Sequence, residues 1–202
     1  MSAKQRISFQ GASGAYSDIA ARHLYPDGEG INCGSFKEAL DCLKNGHADC
    51  AVIPVTNSAA GPVTTSIELL RQAEYIVLKK FWLPIHHCLL ALPQAGLSDI
   101  RSVHSHWQAL KQCKANIEKL GLQVIEESDT AKAAKKIAEE KDITKAAIAS
   151  AHAAQEYKLK ILKENFEDEA DNRTLFLALA LKNTPQTENL GSAKEVLTQL
   201  GL

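Results

Sequence analysis

The 202-residue sequence lacks an excess of charge of either sign: 23 Lys and Arg stand against 24 Asp and Glu, for a formal net charge of −1. Binding along a phosphate backbone needs a basic field, so nucleic acid is not the partner to expect. Long apolar runs are also missing. The longest, Leu175 to Leu181, has the length of a buried strand and falls far short of the ~20 residues that cross a bilayer. No membrane partner is expected. The opening Met1-Ser2-Ala3-Lys4-Gln5-Arg6 carries no apolar stretch of the kind that directs secretion. The five cysteines (Cys33, Cys42, Cys50, Cys88 and Cys113) form no C-x-x-C pair. Disulfide or metal use needs paired spacings, so they read as reduced, mostly buried thiols of a cytoplasmic protein. Proline is scarce, at 6 residues, and no repeat or low-complexity tract is present.

What is there is an alternation of short apolar strands and helices. Arg6 to Gln10 alternates apolar and polar and runs into the glycine-punctuated turn Gly11-Ala12-Ser13-Gly14. Ser17 reads as the cap of a helix to Leu24, and Ser35 with Glu38 as a capping box for a helix over 36–44. Strands follow at 51–55, 76–80, 86–92, 103–106, 124–125, 146–149 and 175–181. Helices are predicted over 63–72, 108–119, 131–139 and 151–157, with one more over 192–200. Such alternation predicts an α/β protein with mainly parallel sheets. Residues 80–83 read as a crossover between two lobes. One lobe is expected to span residues 1–81 plus 165–181, the other 82–164, with 182–202 a polar C-terminal tail.

Small polar residues collect where strands end and helices begin: 11–17, Thr56-Asn57-Ser58, Ser105-His106, Asp129-Thr130 and Asn172-Arg173-Thr174. Taken singly, each is a helix cap. Taken together, they mark the strand ends where open parallel sheets bind anions, because free helix N–H groups face the crevice there. Other signals are weaker. Gly11-x-x-Gly14 lacks the third glycine of a dinucleotide site. Adjacent His86 and His87 point to opposite faces of a strand, and His104 and His106 have no third ligand nearby, so no metal is expected. Residues 164–171 read as a solvated acidic segment with Phe166 tucked inward, and Lys132, Lys135 and Lys136 as an exposed helix face.

In order, these segments resemble the catalytic domain of prephenate dehydratases over roughly residues 5 to 181. Gly11-x-x-Gly14-x-x-Ser17 is similar to the family's opening motif, and Pro54-Val55-Thr56-Asn57-Ser58 to its P-I-E-N-S segment. Ser105-His106-Trp107-Gln108-Ala109-Leu110 with Gln112-Cys113 resembles S-H-P-Q-A-L-x-Q-C, the most specific match. Asp129-Thr130 with Ala133-Ala134 resembles S-T-x-x-A, and Asn172-Arg173-Thr174-Leu175-Phe176 resembles N-x-T-R-F. The resemblance implies a fold like the type 2 periplasmic binding proteins, with two α/β lobes and the active site in the cleft between them. Three positions depart from the pattern: Thr56 stands for the glutamate, Leu175 for the arginine and Trp107 for the proline. No regulatory ACT domain is expected after residue 181.

The resemblance implies prephenate as a small-molecule substrate, a homodimer, and neither metal nor cofactor. Thr174 carries over as the hydroxyl that helps the ring hydroxyl leave, and His106 is by chemistry a candidate proton donor. The substrate grip is assigned to Ser13, Ser17, Asn57, Ser58, Ser105, Gln108, Thr130, Asn172 and Arg173. Arg173 lies two residues before Leu175, on the same face of a strand, within reach of the missing arginine's place. A handicap of ~3 kcal/mol on hydroxyl departure redirects flux about a hundredfold. Loss of the arginine therefore favours non-aromatising decarboxylation to a dihydro-4-hydroxyphenylpyruvate, as in the prephenate decarboxylases of antibiotic and peptide pathways. The alternative is prephenate dehydratase chemistry, giving phenylpyruvate for phenylalanine biosynthesis. A second alternative is a non-catalytic dicarboxylate-binding relative.

Overall fold

The computed structural model describes residues 4–72, 75–184 and 188–202. Along the chain, β1 (Arg6–Gln10), α1 (Tyr16–Leu24), β2 (Glu29–Cys33), α2 (Phe36–Lys44) and β3 (Cys50–Asn57) come first. A two-residue β4 (Gly61–Pro62), α3 (Thr64–Arg71), the long β5 (Tyr75–Pro84) and β6 (Cys88–Ala91) follow. Then come β7 (Ser102–Ser105), α4 (Trp107–Gln112), α5 (Lys114–Lys119), β8 (Gln123–Glu126) and α6 (Thr130–Glu140). The chain closes with β9 (Lys145–Ala149), α7 (Ala151–Glu156), β10 (Lys160–Lys163), β11 (Arg173–Leu181) and α8 (Ala193–Gln199). Among the described residues no helix is long and apolar enough to cross a membrane.

Two compact units result, one holding the chain up to Gly11, Ser17–Pro84 and everything from Arg173, the other Ala12–Tyr16 and Ile85–Asn172. The first is built on a six-stranded sheet of order β2-β1-β3-β11-β5, with β4 beside β3. Its core joins Leu40, Ile53, Leu70, Val77, Leu177 and Leu197. The second has a five-stranded sheet of order β10-β6-β9-β7-β8, with Leu89, Val103, Ile117, Ile137 and Ile148 at its centre.

Both sheets are mixed, where the alternating pattern predicts mainly parallel ones. β1, β2 and β3 run parallel, as do β7, β8 and β9. The antiparallel members include the strands by which the chain leaves and re-enters each unit. β5 ends at Pro84 and β11 begins at Arg173, and these two residues are register partners. β6 and β10 are antiparallel neighbours in the same way. A strand buried on both faces reads as one apolar run whichever way it points, so composition is silent on this.

Several boundaries differ from the sequence reading. Residues 80–83 are no crossover; β5 continues through them to Pro84. Residues 165–172 belong with the second unit, held by Phe166 N–H donating to the His87 carbonyl (2.7 Å) and Ile85 N–H to the Asn172 carbonyl (2.8 Å). Residues 190–192 run alongside β5, where Leu190 N–H bonds Val77. α8 then buries Ala193, Val196 and Leu197, so the C-terminal stretch is part of the first unit's core. The predicted helix over 108–119 is broken at Cys113 into α4 and α5. α1 starts at Tyr16, which places Ser17 inside the helix and buried, not at its cap. Ser35 and Asp129 do cap α2 and α6, accepting from the amides of Glu38 and Lys132. The Glu38 carboxylate reaches back to Gly34 N–H. All five cysteines are free thiols.

Candidate active site

In the first unit, the polar cluster forms where β3 and β11 end side by side. Pro54 sits in an interior strand, where a missing N–H breaks a ladder. The damage is contained: β1 pairs only with residues up to Val52, and a register shift at Leu175/Phe176 leaves Val55 unmatched next to Pro54. Beyond this bulge Thr56 faces Leu175 and Asn57 faces Thr174.

Asn57 and Thr174, both buried, meet through their side chains, with Asn57 Nδ2 donating to Thr174 Oγ1 at 2.9 Å. The same nitrogen bonds the Arg173 carbonyl at 3.2 Å. Asn57 Oδ1 accepts from the amides of Ala59 (3.0 Å) and Ala60 (2.8 Å), closing the turn after β3. Ser58 completes the stitch: its N–H donates to the Arg173 carbonyl, and its hydroxyl accepts from Arg173 N–H at 2.9 Å. Asn57, Ser58, Arg173 and Thr174 are therefore one hydrogen-bonded cluster.

Successive strand residues alternate faces. Leu175, fully buried, packs into the core on the side of α2, α3 and α8. Thr174 and Asn57 turn to the other side. The Arg173 guanidinium lies 5.5 Å over the ring of Trp82, the residue that pairs with Leu175 on β5. By alternation it belongs to the Leu175 face and not to that of the Thr174 hydroxyl. Ser17 lies elsewhere in this unit, in α1.

In the second unit the glycine-rich turn docks on α7. Ser150 caps that helix, accepting from Ala153 N–H, and donates its hydroxyl to the Gly14 carbonyl at 2.7 Å. Gly14 has φ +86°, and a Cβ there would lie 2.8 Å from the Ala153 Cα. Only glycine fits such a place. The Ser13 carbonyl accepts from the Tyr157 hydroxyl at 2.7 Å.

Ser105 is fully buried and gives its proton to the Ile148 carbonyl at 2.6 Å, which ties β7 to β9. That makes it a structural hydroxyl. His106 is the cap residue of α4, with Nδ1 3.4 Å from Gln108 N–H. Burial holds its imidazole below the ordinary range, against the opposing pull of Asp129 and Glu126. Thr130 is the first residue of α6, half-buried. Asn172 is buried at the chain's exit from this unit.

A network around His87 escaped the sequence reading. His87 Nδ1 lies 2.8 Å from the Tyr16 hydroxyl and Nε2 2.9 Å from Gln112 Oε1. Its backbone N–H donates to Glu167 Oε2 (2.7 Å), whose other oxygen meets His86 Nδ1 (2.8 Å). Burial pushes the His87 pKa down and raises that of Tyr16. Burial pushes the Glu167 carboxyl up, but its bonds from His86 and from backbone amides bring it to a net value below the ordinary range. In the segment over 164–171 Phe166 is tucked inward as expected, but the acidic residues are not simply solvated: Glu167 is buried, and Asp168 accepts from the first amides of α5. The signal lay in His87 standing between Ile85 and Leu89 at two-residue spacing, all three of them buried.

The sequence matches the prephenate dehydratase family over residues 7–184. Arogenate dehydratase/prephenate dehydratase 1, chloroplastic, of Arabidopsis thaliana is 41% identical over 177 residues, covering 88% of this chain and 45% of that protein. Arogenate dehydratase 1 of Petunia hybrida is 44% identical over 177 residues, 87% of this chain and 42% of its own. The chain thus spans less than half the length of these curated relatives. Among solved structures, a prephenate dehydratase from Arthrobacter aurescens in complex with L-Phe superposes with a TM-score of 0.81 at 27% identity, covering 87% of this chain and 60% of that one. GqqA, described as a novel type of quorum quenching acylase, also gives 0.81, at 35% identity, 88% and 64% coverage. With the ordered motifs and the two-sheet α/β architecture, these matches establish that the chain belongs to the prephenate dehydratase family.

Proposed function

We propose that this chain is the catalytic part of a dehydratase acting on prephenate or on arogenate, its amino counterpart. The ring carboxylate leaves as carbon dioxide, its bonding electrons enter the ring, and the ring hydroxyl departs with a proton as water. Phenylpyruvate or phenylalanine is the aromatic product. The observation that carries this reading is the Thr174 hydroxyl, seated at the end of β11 and bonded to Asn57. A departing hydroxide needs a proton donor, and Thr174 is the group we assign to it.

Decarboxylation without aromatisation, the reading that the altered motifs favour by themselves, has less support. The curated relatives above are named as arogenate or prephenate dehydratases. The residue replaced at Leu175 is on the sheet face away from Thr174, so its loss leaves the hydroxyl in place. His106 keeps its part as candidate proton donor, and Ser13, Gln108, Thr130 and Asn172 keep their assigned part in holding the substrate. Ser105 does so only as a strut beneath them. A homodimer in the cytoplasm belongs to the same proposal, although the Arabidopsis relative is named chloroplastic.

The test is product identification. Purified protein is mixed with prephenate and, separately, with arogenate, and the products are read by ultraviolet spectrum and mass. Aromatic product with release of carbon dioxide is expected, and Thr174→Ala should lose most of it. A non-aromatic dihydro product from prephenate would return the decarboxylase reading. Saturable binding without turnover would return the binding relative.

A further inference from the structure

We infer that Asn57 is a positioning residue: it fixes the direction in which the Thr174 hydroxyl points, and so makes that hydroxyl a donor. The inference rests on the dehydration proposed above and assigns one further residue to it.

The two ends of an amide side chain are told apart by their partners. One end of Asn57 faces the backbone N–H groups of Ala59 and Ala60. Both can only donate, so that end is the carbonyl oxygen. The other end faces the Arg173 carbonyl at 3.2 Å, which can only accept, so it is the NH2 group. The assignment is fixed from both sides. The NH2 group also lies 2.9 Å from Thr174 Oγ1. An NH2 has no lone pair to offer there, so Thr174 must accept and its own proton must turn away from Asn57. Among the described residues that proton has no acceptor within bonding distance.

Ser105 shows the opposite outcome. Its proton goes to the Ile148 carbonyl at 2.6 Å, and it has none to give. Thr174 is buried yet retains its proton, aimed by a neighbour whose own valences are taken by the turn and the strand. Asn57 therefore acts through Thr174 and is not a ligand of the substrate.

Asn57→Asp tests this, because it preserves shape and reverses one bond. The carboxylate still accepts from Ala59 and Ala60, but the oxygen in place of the NH2 group demands the Thr174 proton. Steady-state kinetics across pH, with whichever of prephenate and arogenate the unaltered protein turns over, should show kcat down about 100-fold at neutral pH. KM should change little. As pH falls and the new carboxyl takes up a proton it can donate again, so kcat of the variant should climb while the unaltered protein shows no such rise. A flat pH profile at the unaltered rate, or a loss confined to KM, overturns the inference. Should Asn57→Asp not fold by its melting curve, Asn57→Ala decides: a fall in kcat at steady KM supports it, and a rise in KM alone refutes it. An active unaltered protein with an indifferent Asn57 sinks this inference alone. An unaltered protein inactive on both substrates sinks the proposed function with it.

Discussion

Thr56 and Leu175, the two residues that stand where the family's motifs carry glutamate and arginine, are register partners across β3 and β11. Two departures that look independent in sequence, more than a hundred positions apart, are one local change. A carboxylate and a guanidinium facing each other on adjacent strands are mutually neutralising. Replacing one alone strands the other's charge beside the core, and replacing both does not. Leu175 is fully buried, so the neutral pair suits a core position.

Restoring the charges should therefore be cooperative. Leu175→Arg alone buries an unpaired guanidinium and should cost about 3–5 kcal/mol. Thr56→Glu alone, at a half-buried site, should cost about 1 kcal/mol. The double variant should be more stable than Leu175→Arg alone by upwards of about 1 kcal/mol, read as a double-mutant cycle in urea. Costs that add to within about 0.5 kcal/mol would show that the pair is not coupled.

Much of this cluster was legible beforehand, and its logic was not. Asn57, Ser58, Arg173 and Thr174 stand out as polar residues at strand ends, and the structure gathers them. Which of them face each other depends on β11 lying antiparallel beside β3 with a bulge at Val55, and one apolar strand does not announce its partner or its register. Two-residue spacing puts Arg173 on one face with Leu175 and leaves two readings open, reach toward the missing arginine's place or exposure to solvent. The spacing does not tell that Trp82 shares this face and lies under the guanidinium. His87 and Glu167 were overlooked for a different reason. They are eighty positions apart, and a buried carboxylate inside an acidic run has no local mark.

The His87 network should make the protein sensitive to mild acid. His87 is held neutral by burial, with Tyr16, Gln112, Glu167 and His86 as the groups that face it. Its pKa in the folded chain is below the ordinary 6.5. Above that value both states carry neutral imidazole and the network stabilises fully. As pH falls below it, the unfolded chain takes up a proton that the folded chain refuses, and stability declines. His106 is shifted the same way and adds to the slope. The expected decline is about 1.4 kcal/mol per pH unit for each such proton, beginning near 6.5 and before the carboxylates titrate. Urea midpoints at several pH values check it, with His87→Gln as the comparison. An equally steep slope in that variant would remove His87 as the cause.

Gly14 offers the most local test of how the second unit holds its glycine-rich turn. Two separate costs meet there: a backbone at φ +86°, and a Cβ that would come within 2.8 Å of the Ala153 backbone. Gly46 has a similar φ of +70° but open space around it, so Gly46→Ala measures the backbone cost alone, about 1–2 kcal/mol. Gly14→Ala should exceed it by a further 1–3 kcal/mol or so, because α7 must move to admit the methyl group. Displacing α7 also strains the Ser150 bond to the Gly14 carbonyl, so the turn should loosen, with faster amide exchange at Ala12–Tyr16. Equal destabilisation by the two substitutions would mean that α7 yields freely, and that Gly14 is needed for its backbone angle and not for the close approach.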